Sequence, residues 1–341
     1  MKHRRPCKVN STLRSSLLAL SGALSALFLP LPSALAQSVD YSVVSVAEEA
    51  GADFMKMTRP SDYVCMPVVQ RGSRLTWLSN RILAIPPSGD LIAYLSWRNG
   101  ATNIFVKDLA KQGSSTQRTN RNSVLDFSYS PDGKTICFSE QRGETNQIFQ
   151  TDANTGYVCR QITSGSQDYS PVYSSDKKQI LFARAETYGS SIWSYDVANK
   201  FLSTISSGMN PCPIPSQSAV VCSRPGAEGR YELWKIDTRT GSEECLLSDA
   251  KHSFTSPQVS PNGRWVVFVG DSRLDNGASG YLNTDLFACR IDGTGFAQLT
   301  YHAADDLSPI WGADGRHIYF VSQRGDAEGK ANIWRMNFMY E

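Results

Sequence analysis

One turn pattern recurs six times between residue 86 and the C-terminus, and it leaves this chain few folds to choose from. The clearest copy is Ser130-Pro131-Asp132-Gly133. Its counterparts are Pro86-Pro87-Ser88-Gly89, Ser174-Ser175-Asp176-Lys177, Pro215-Ser216, Ser260-Pro261-Asn262-Gly263 and Gly312-Ala313-Asp314-Gly315. The third residues stand at 88, 132, 176, 216, 262 and 314, giving spacings of 44, 44, 40, 46 and 52. A period of this length signals a repeat architecture, and it accommodates four short strands per repeat.

Each repeat carries the same chemistry. Proline presets φ and glycine accepts positive φ, so the turn reverses the chain into an apolar, β-branched or aromatic run such as Thr135-Ile136-Cys137-Phe138 or Trp265-Val266-Val267-Phe268. A third strand follows, with an aromatic residue near its start at Phe105, Phe149, Trp193, Trp234, Phe287 and Trp334. The fourth ends on an aliphatic residue and a hydroxyl, as in Ile162-Thr163, Ile205-Ser206, Leu247-Ser248 and Leu299-Thr300. The sixth repeat stops after its third strand, whereas Val68 to Thr76 is a spare fourth strand upstream of the first. Thr76 precedes Ser88 by 12 residues, against 13 or 14 for the equivalent pairs in other repeats. An open sheet edge invites aggregation, and a ring that borrows its last strand from its N-terminus removes it. The expected fold is all-β: a six-bladed β-propeller over 68–341, closed by an N-terminal strand pairing with the last blade.

Residues 1–36 read as an export signal. Lys2, Arg4, Arg5, Lys8 and Arg14 precede or flank an apolar stretch from Leu17 to Leu31, and Ala34-Leu35-Ala36 is a small-x-small cleavage site. No second apolar span of membrane-crossing length follows, so the mature chain is not expected to span a membrane. The signal contains five basic and no acidic residues, so the net charge of +2 becomes 2 − 5 = −3 after cleavage. That balance argues against nucleic acid as a partner. Residues 37–67 are too short for a blade and read as an arm or leader, with a candidate strand at Val39–Val46 and a helical turn at Ala47–Ala50. Seven cysteines follow the signal, an odd number, and Cys212 and Cys222 flank one hairpin turn. Either a disulfide or burial as small apolar residues fits that pair.

The Ser-Pro-Asp-Gly turns, the aromatic in the third strand and the Leu-Thr ending, as in Asp285 to Gly295 through Gln298-Leu299-Thr300, resemble the propeller repeats of the TolB family. The resemblance covers nearly all of 68–341. It implies a periplasmic protein of the Tol-Pal type, whose propeller binds an envelope protein such as the peptidoglycan-associated lipoprotein, as a monomer and without a cofactor. TolB proteins carry an α/β domain of more than a hundred residues before the ring, and only 37–67 stands there in this sequence.

A partner would meet the loops on one face of the ring. In each blade the loop between the second and third strands carries an arginine: Arg98, Arg142, Arg184, Arg224, Arg273 and Arg324. Asp168, His302, Asp305 and Asp306 lie in the loops entering the innermost strands, and Tyr281 sits in the long polar segment 270–284. Guanidinium groups beside carboxylates are suited to a charged peptide, because arginine offers a two-pronged fork. The competing reading is structural, since an arginine repeated in every blade also serves as a packing clamp. Exposed aromatics on this face would instead favour a polysaccharide.

No catalytic residues are expected. A Gly-x-Ser-x-Gly elbow does not occur, which argues against an associated α/β-hydrolase activity. Propeller lyases acting on uronate oligosaccharides hold a metal with clustered histidines, but only His252, His302 and His317 follow the signal. Three or four protein ligands are the usual requirement, so no metal is expected. The polysaccharide-binding or polysaccharide-cleaving propeller remains the alternative to the protein-binding scaffold.

Overall fold

The computed structural model describes residues 53–66, 81–111, 113–121, 123–157, 160–226, 229–249, 252–273 and 282–340, the side chains at 272, 273, 282 and 283 excepted. Within them lie β1 (Met55–Lys56), a 3-10 turn (Pro60–Asp62) and then strands that form six four-stranded antiparallel sheets. Blade one is β2 (Leu83–Ala84), β3 (Leu91–Ser96), β4 (Asn103–Asp108) and β5 (Thr116–Gln117). Blade two is β6 (Val124–Tyr129), β7 (Thr135–Arg142), β8 (Thr145–Asp152) and β9 (Arg160–Gln161). Blade three is β10 (Asp168–Tyr173), β11 (Gln179–Glu186), β12 (Gly189–Asp196) and β13 (Leu202–Ser207). Blade four is β14 (Met209–Pro213), β15 (Ala219–Pro225), β16 (Tyr231–Asp237) and β17 (Glu243–Leu247). Blade five is β18 (Phe254–Val259), β19 (Trp265–Arg273), β20 (Leu282–Arg290) and β21 (Ala297–Gln298). Blade six is β22 (Asp306–Trp311), β23 (His317–Ser322), β24 (Asn332–Asn337) and, on its outer edge, β1.

The six-bladed propeller is thus present, and the strand paired with β24 is β1, upstream of the segment that the sequence pointed to. Met55 pairs with Arg335 and Lys56 with Trp334, and the Met57 amide donates to the Ile333 carbonyl at 2.8 Å. The edge of β24 is therefore taken by residues that sequence assigned to the arm 37–67. The segment 68–76 lies outside the described residues, as do 1–36, Val39–Val46 and Ala47–Ala50. A strand of two residues has no alternation to read, whereas 68–76 is long enough to read as a strand from its spacing to the next turn. No helix among the described residues is long and apolar enough to cross a membrane.

The same arm then crosses to blade one. Val64 bridges Ser96, and the Cys65 amide donates to the Leu95 carbonyl at 3.0 Å. Between the two attachments Asp62 is sunk into a polar nest. Its carboxylate accepts from Lys107 Nζ at 2.9 Å, Arg98 Nη2 at 3.0 Å, the Arg59 amide at 2.9 Å, and the hydroxyls of Tyr94 and Ser115 at 3.2 Å. Lys107 is itself buried. Residues 53–66 thus fasten blade six to blade one at the seam where the chain would otherwise part.

Large apolar side chains from the second strands fill the core, among them Tyr94, Phe138, Phe182, Val266, Phe268 and Phe320. The turn between the third and fourth strands must pass close to the preceding blade. Gly156 has φ +66°, and a Cβ there would stand 1.5 Å from the Arg118 carbonyl oxygen. Gly156→Ala combines left-handed backbone strain with this clash. It is expected to destabilise the ring by at least about 2 kcal/mol, read as a lowered urea midpoint; an unchanged midpoint would show that this turn moves freely.

Among the described residues Cys65, Cys137, Cys212, Cys222, Cys245 and Cys289 are all free, and Cys159 lies outside them. Cys212 pairs in register with Val221 and not with Cys222. Neighbouring positions on a strand point to opposite faces, so the two sulfurs cannot meet. Burial pushes the Cys137 and Cys222 thiols up to about 12, which suits their role as small apolar residues.

Candidate functional site

In blades one to four the repeated arginine and the repeated aromatic are two halves of one device. Arg98 lies 4.9 Å over Phe105, Arg142 5.4 Å over Phe149, Arg184 4.3 Å over Trp193 and Arg224 4.6 Å over Trp234. In blade six Arg324 lies 4.4 Å over Phe54 of the arm and 5.1 Å over Phe320. Each of these guanidiniums also faces a carboxylate. Arg98 meets Asp62, Arg142 meets Glu140 at 3.2 Å, Arg184 meets Asp168 at 2.6 Å, Arg224 meets Glu243 at 2.7 Å, and Arg324 meets Asp306. The ring face attracts each cation electrostatically and the carboxylate fixes its position.

Most of these residues are engaged by partners within the ring. Arg324, Asp306 and Asp168 have no exposed side-chain surface, because each charge is matched at once by its partner and both are covered by the blade. His302 is also buried, its Nδ1 accepting from the Ala304 amide at 2.9 Å. Asp305 accepts from the Thr284 amide and hydroxyl at 3.1 and 2.9 Å, and so fixes the start of β20 against the loop entering β22. Arg142 keeps about half of its side chain in solvent. The Arg273 side chain and Tyr281 lie outside the described residues. His252 and His317 pair with Asp249 and Asp314 in their own turns, and no group of three or more metal-ligating side chains occurs among the described residues.

What that face does expose is aromatic. Tyr63, in the left-handed residue that ends the 3-10 turn of the arm, packs edge-on against Trp97 at 5.2 Å. They are 41% and 54% exposed, too much for core residues. Tyr188 in the β11–β12 turn and Tyr301 before β22 are exposed on the same face, which carries the loops between second and third strands and those entering each blade.

Sequence reasoning missed the channel neck. Ser170, Asn210, Ser256 and Ser308 all have positive φ, between 51° and 55°, each at a β-bulge in the innermost strand and each followed by proline. The bulge places their side chains around a pocket with Arg81 of blade one and Gln258. Non-glycine residues in this conformation carry about 1–2 kcal/mol of strain each, and such strain clusters where a site is held in shape. Blade two contributes Asp126, which accepts from the Ser170 amide at 2.9 Å and the Ser139 hydroxyl at 2.5 Å. Burial pushes its carboxyl above the ordinary range. Arg81 donates through Nη2 to the Pro211 carbonyl at 3.3 Å, so a blade-one side chain reaches the innermost strand of blade four. The repeated Ser-Pro or Asn-Pro pair was the available signal.

Six four-stranded blades around a polar neck, stapled by arginine–aromatic clamps, define a β-propeller scaffold. Residues 79–239 match the family described as the TolB beta propeller domain. The Tol-Pal system protein TolB of Francisella tularensis subsp. holarctica is 26% identical over 165 residues, 47% of this chain and 38% of that protein. The chain therefore matches well under two thirds of the length of this relative. The crystal structure of TolB from Acinetobacter baumannii aligns with a TM-score of 0.57 at 23% identity, covering 67% of this chain and 56% of the other. An oligogalacturonate lyase in complex with manganese aligns with a TM-score of 0.56 at 14% identity, covering 85% and 94%. At these identities the structural matches speak for the fold.

Proposed function

We propose that this chain is an exported, periplasmic binding scaffold with a Tol-Pal-type role, docking an envelope protein at the mouth of its channel and performing no chemistry itself. The observation that carries the reading is the TolB-type repeat over 79–239, shared with Tol-Pal system proteins. The exposed face supports it through Tyr63, Trp97, Tyr188 and Tyr301, since tryptophan and tyrosine dominate the energetics of protein interfaces. The partner expected is a peptidoglycan-anchored lipoprotein.

The same aromatics favour a second reading, a propeller that binds polysaccharide, because an exposed ring stacks on a sugar as readily as on a side chain. Crosslinking in intact cells separates the two. Capture of a peptidoglycan-anchored lipoprotein supports the scaffold, and recovery of glycan alone supports the alternative. Trp97→Ala is expected to cut capture by at least about 10-fold, the effect of one interface hot spot, while the melting temperature stays put because the ring is half in solvent. Unchanged capture would remove Trp97 from the interface.

A further inference from the structure

We infer that the channel neck is a binding site for a single small anionic atom, a halide or one carboxylate oxygen, held by Arg81 and Asn210. Arg81 differs from the five clamp arginines described above. No carboxylate among the described residues lies within ion-pair distance of it, its one hydrogen bond is the 3.3 Å contact with the Pro211 carbonyl, and its Nε is buried without a partner. A buried donor on a charged group is costly to leave unmade.

The second observation is across the pocket. Asn210 is 4% exposed, and its Oδ1 is buried with no donor, although its Nδ2 contacts Ser170 Oγ at 3.2 Å. The oxygen and nitrogen of a primary amide are isosteric, and the assignment is made by the partners they find. Turning the amide lets the Ser170 hydroxyl donate to Oδ1 and sends the Asn210 N–H into the pocket. Guanidinium and amide N–H groups then converge there, with the hydroxyls of Ser256 and Ser308 also on the lining. The space admits one particle of about water's size. Asp126, in the same belt, is engaged by the Ser170 amide and the Ser139 hydroxyl and lies outside ion-pair distance of Arg81. Positive φ at Ser170, Asn210, Ser256 and Ser308 holds the donors in place before any ligand arrives.

The inference is independent of what docks at the mouth. It is tested on the full chain with bromide, whose anomalous scattering marks its position. Crystals soaked in sodium bromide should show a peak between Arg81 and Asn210, and bromide should raise the melting temperature. Arg81→Gln should lose the peak and weaken bromide by at least about 10-fold, as expected for a charge-assisted bond. Should that variant not fold, Asn210→Asp keeps the arginine, tolerates the left-handed backbone and should abolish the peak by repulsion. Water alone at the neck of the wild type, or a bromide peak that survives both substitutions, overturns the proposal. If the peak behaves as expected, the effect of the same variants on partner capture identifies the source. Undiminished capture means a free ion, and lost capture means a carboxylate of the docked chain.

Discussion

Asp62→Ala is expected to destabilise the propeller by about 3–5 kcal/mol, the cost of removing one partner from a buried ion pair. Lys107 has almost no exposed surface, so the substitution leaves its ammonium in the blade with no counter-charge. It also releases Arg98 and the Arg59 amide, and with them the arm that joins blade six to blade one. The measurement is urea unfolding at neutral pH, and a loss under about 1 kcal/mol would mean that the arm is not a latch. Asp62→Asn combined with Lys107→Met should recover part of the loss, because no buried ammonium is then left without a counter-charge. Burial alone would raise the Asp62 carboxyl, but the Arg59 amide, Lys107 and Ser115 together hold it below the ordinary carboxylate range. A group with a depressed folded pKa stabilises fully above its unfolded value, near 4, and loses that contribution as pH falls through the folded one. The gap between wild type and Asp62→Ala should therefore narrow from about pH 4 downward and stay constant above it.

The legible and illegible parts of this molecule divide by whether a feature repeats with the blades. Turns at 88, 132, 176, 216, 262 and 314 recur because every blade must reverse at the same place, so blade number and strand order could be read directly. The aromatic of the third strand and the arginine before it recurred as well. Their contact stayed hidden because the carboxylates that complete it come from unrelated places. Glu140 is two residues before its arginine, Asp168 lies on the innermost strand, Glu243 on the fourth, and Asp62 on the arm. No fixed spacing announces such a partner, and without it an arginine ring looks like a docking surface. The closing strand was hidden for a different reason. Two residues of backbone pairing at Met55–Lys56 need no apolar alternation, since β24 supplies the register. The neck had a visible signature in Ser-Pro and Asn-Pro, but Arg81 and Asp126 occupy the same belt without a proline, so no single motif spans the six blades.

If the arginines are clamps, the cost of cutting them should follow burial and not their position on the rim, and the largest effect belongs to blade six. Asp306→Ala is expected to cost about 3–5 kcal/mol, because it removes a buried carboxylate that holds Arg324, a guanidinium fully enclosed under Phe54 and Phe320. Arg142→Ala should cost under about 1 kcal/mol, since its pair with Glu140 is half in water and Arg121 reaches the same carboxylate at 2.7 Å. Replacing both buried partners, as Asp306→Leu with Arg324→Met, removes the two desolvated charges together and should lose far less than Asp306→Ala alone. Thermal unfolding of the three variants ranks them. A docking rim predicts the reverse dependence, with binding lost most at exposed Arg142 and stability indifferent to all. Equal melting temperatures across the set would therefore restore the arginine ring as a recognition surface, whereas a graded loss with Asp306→Ala at its end assigns the repeated guanidiniums to clamping the strands they lie over.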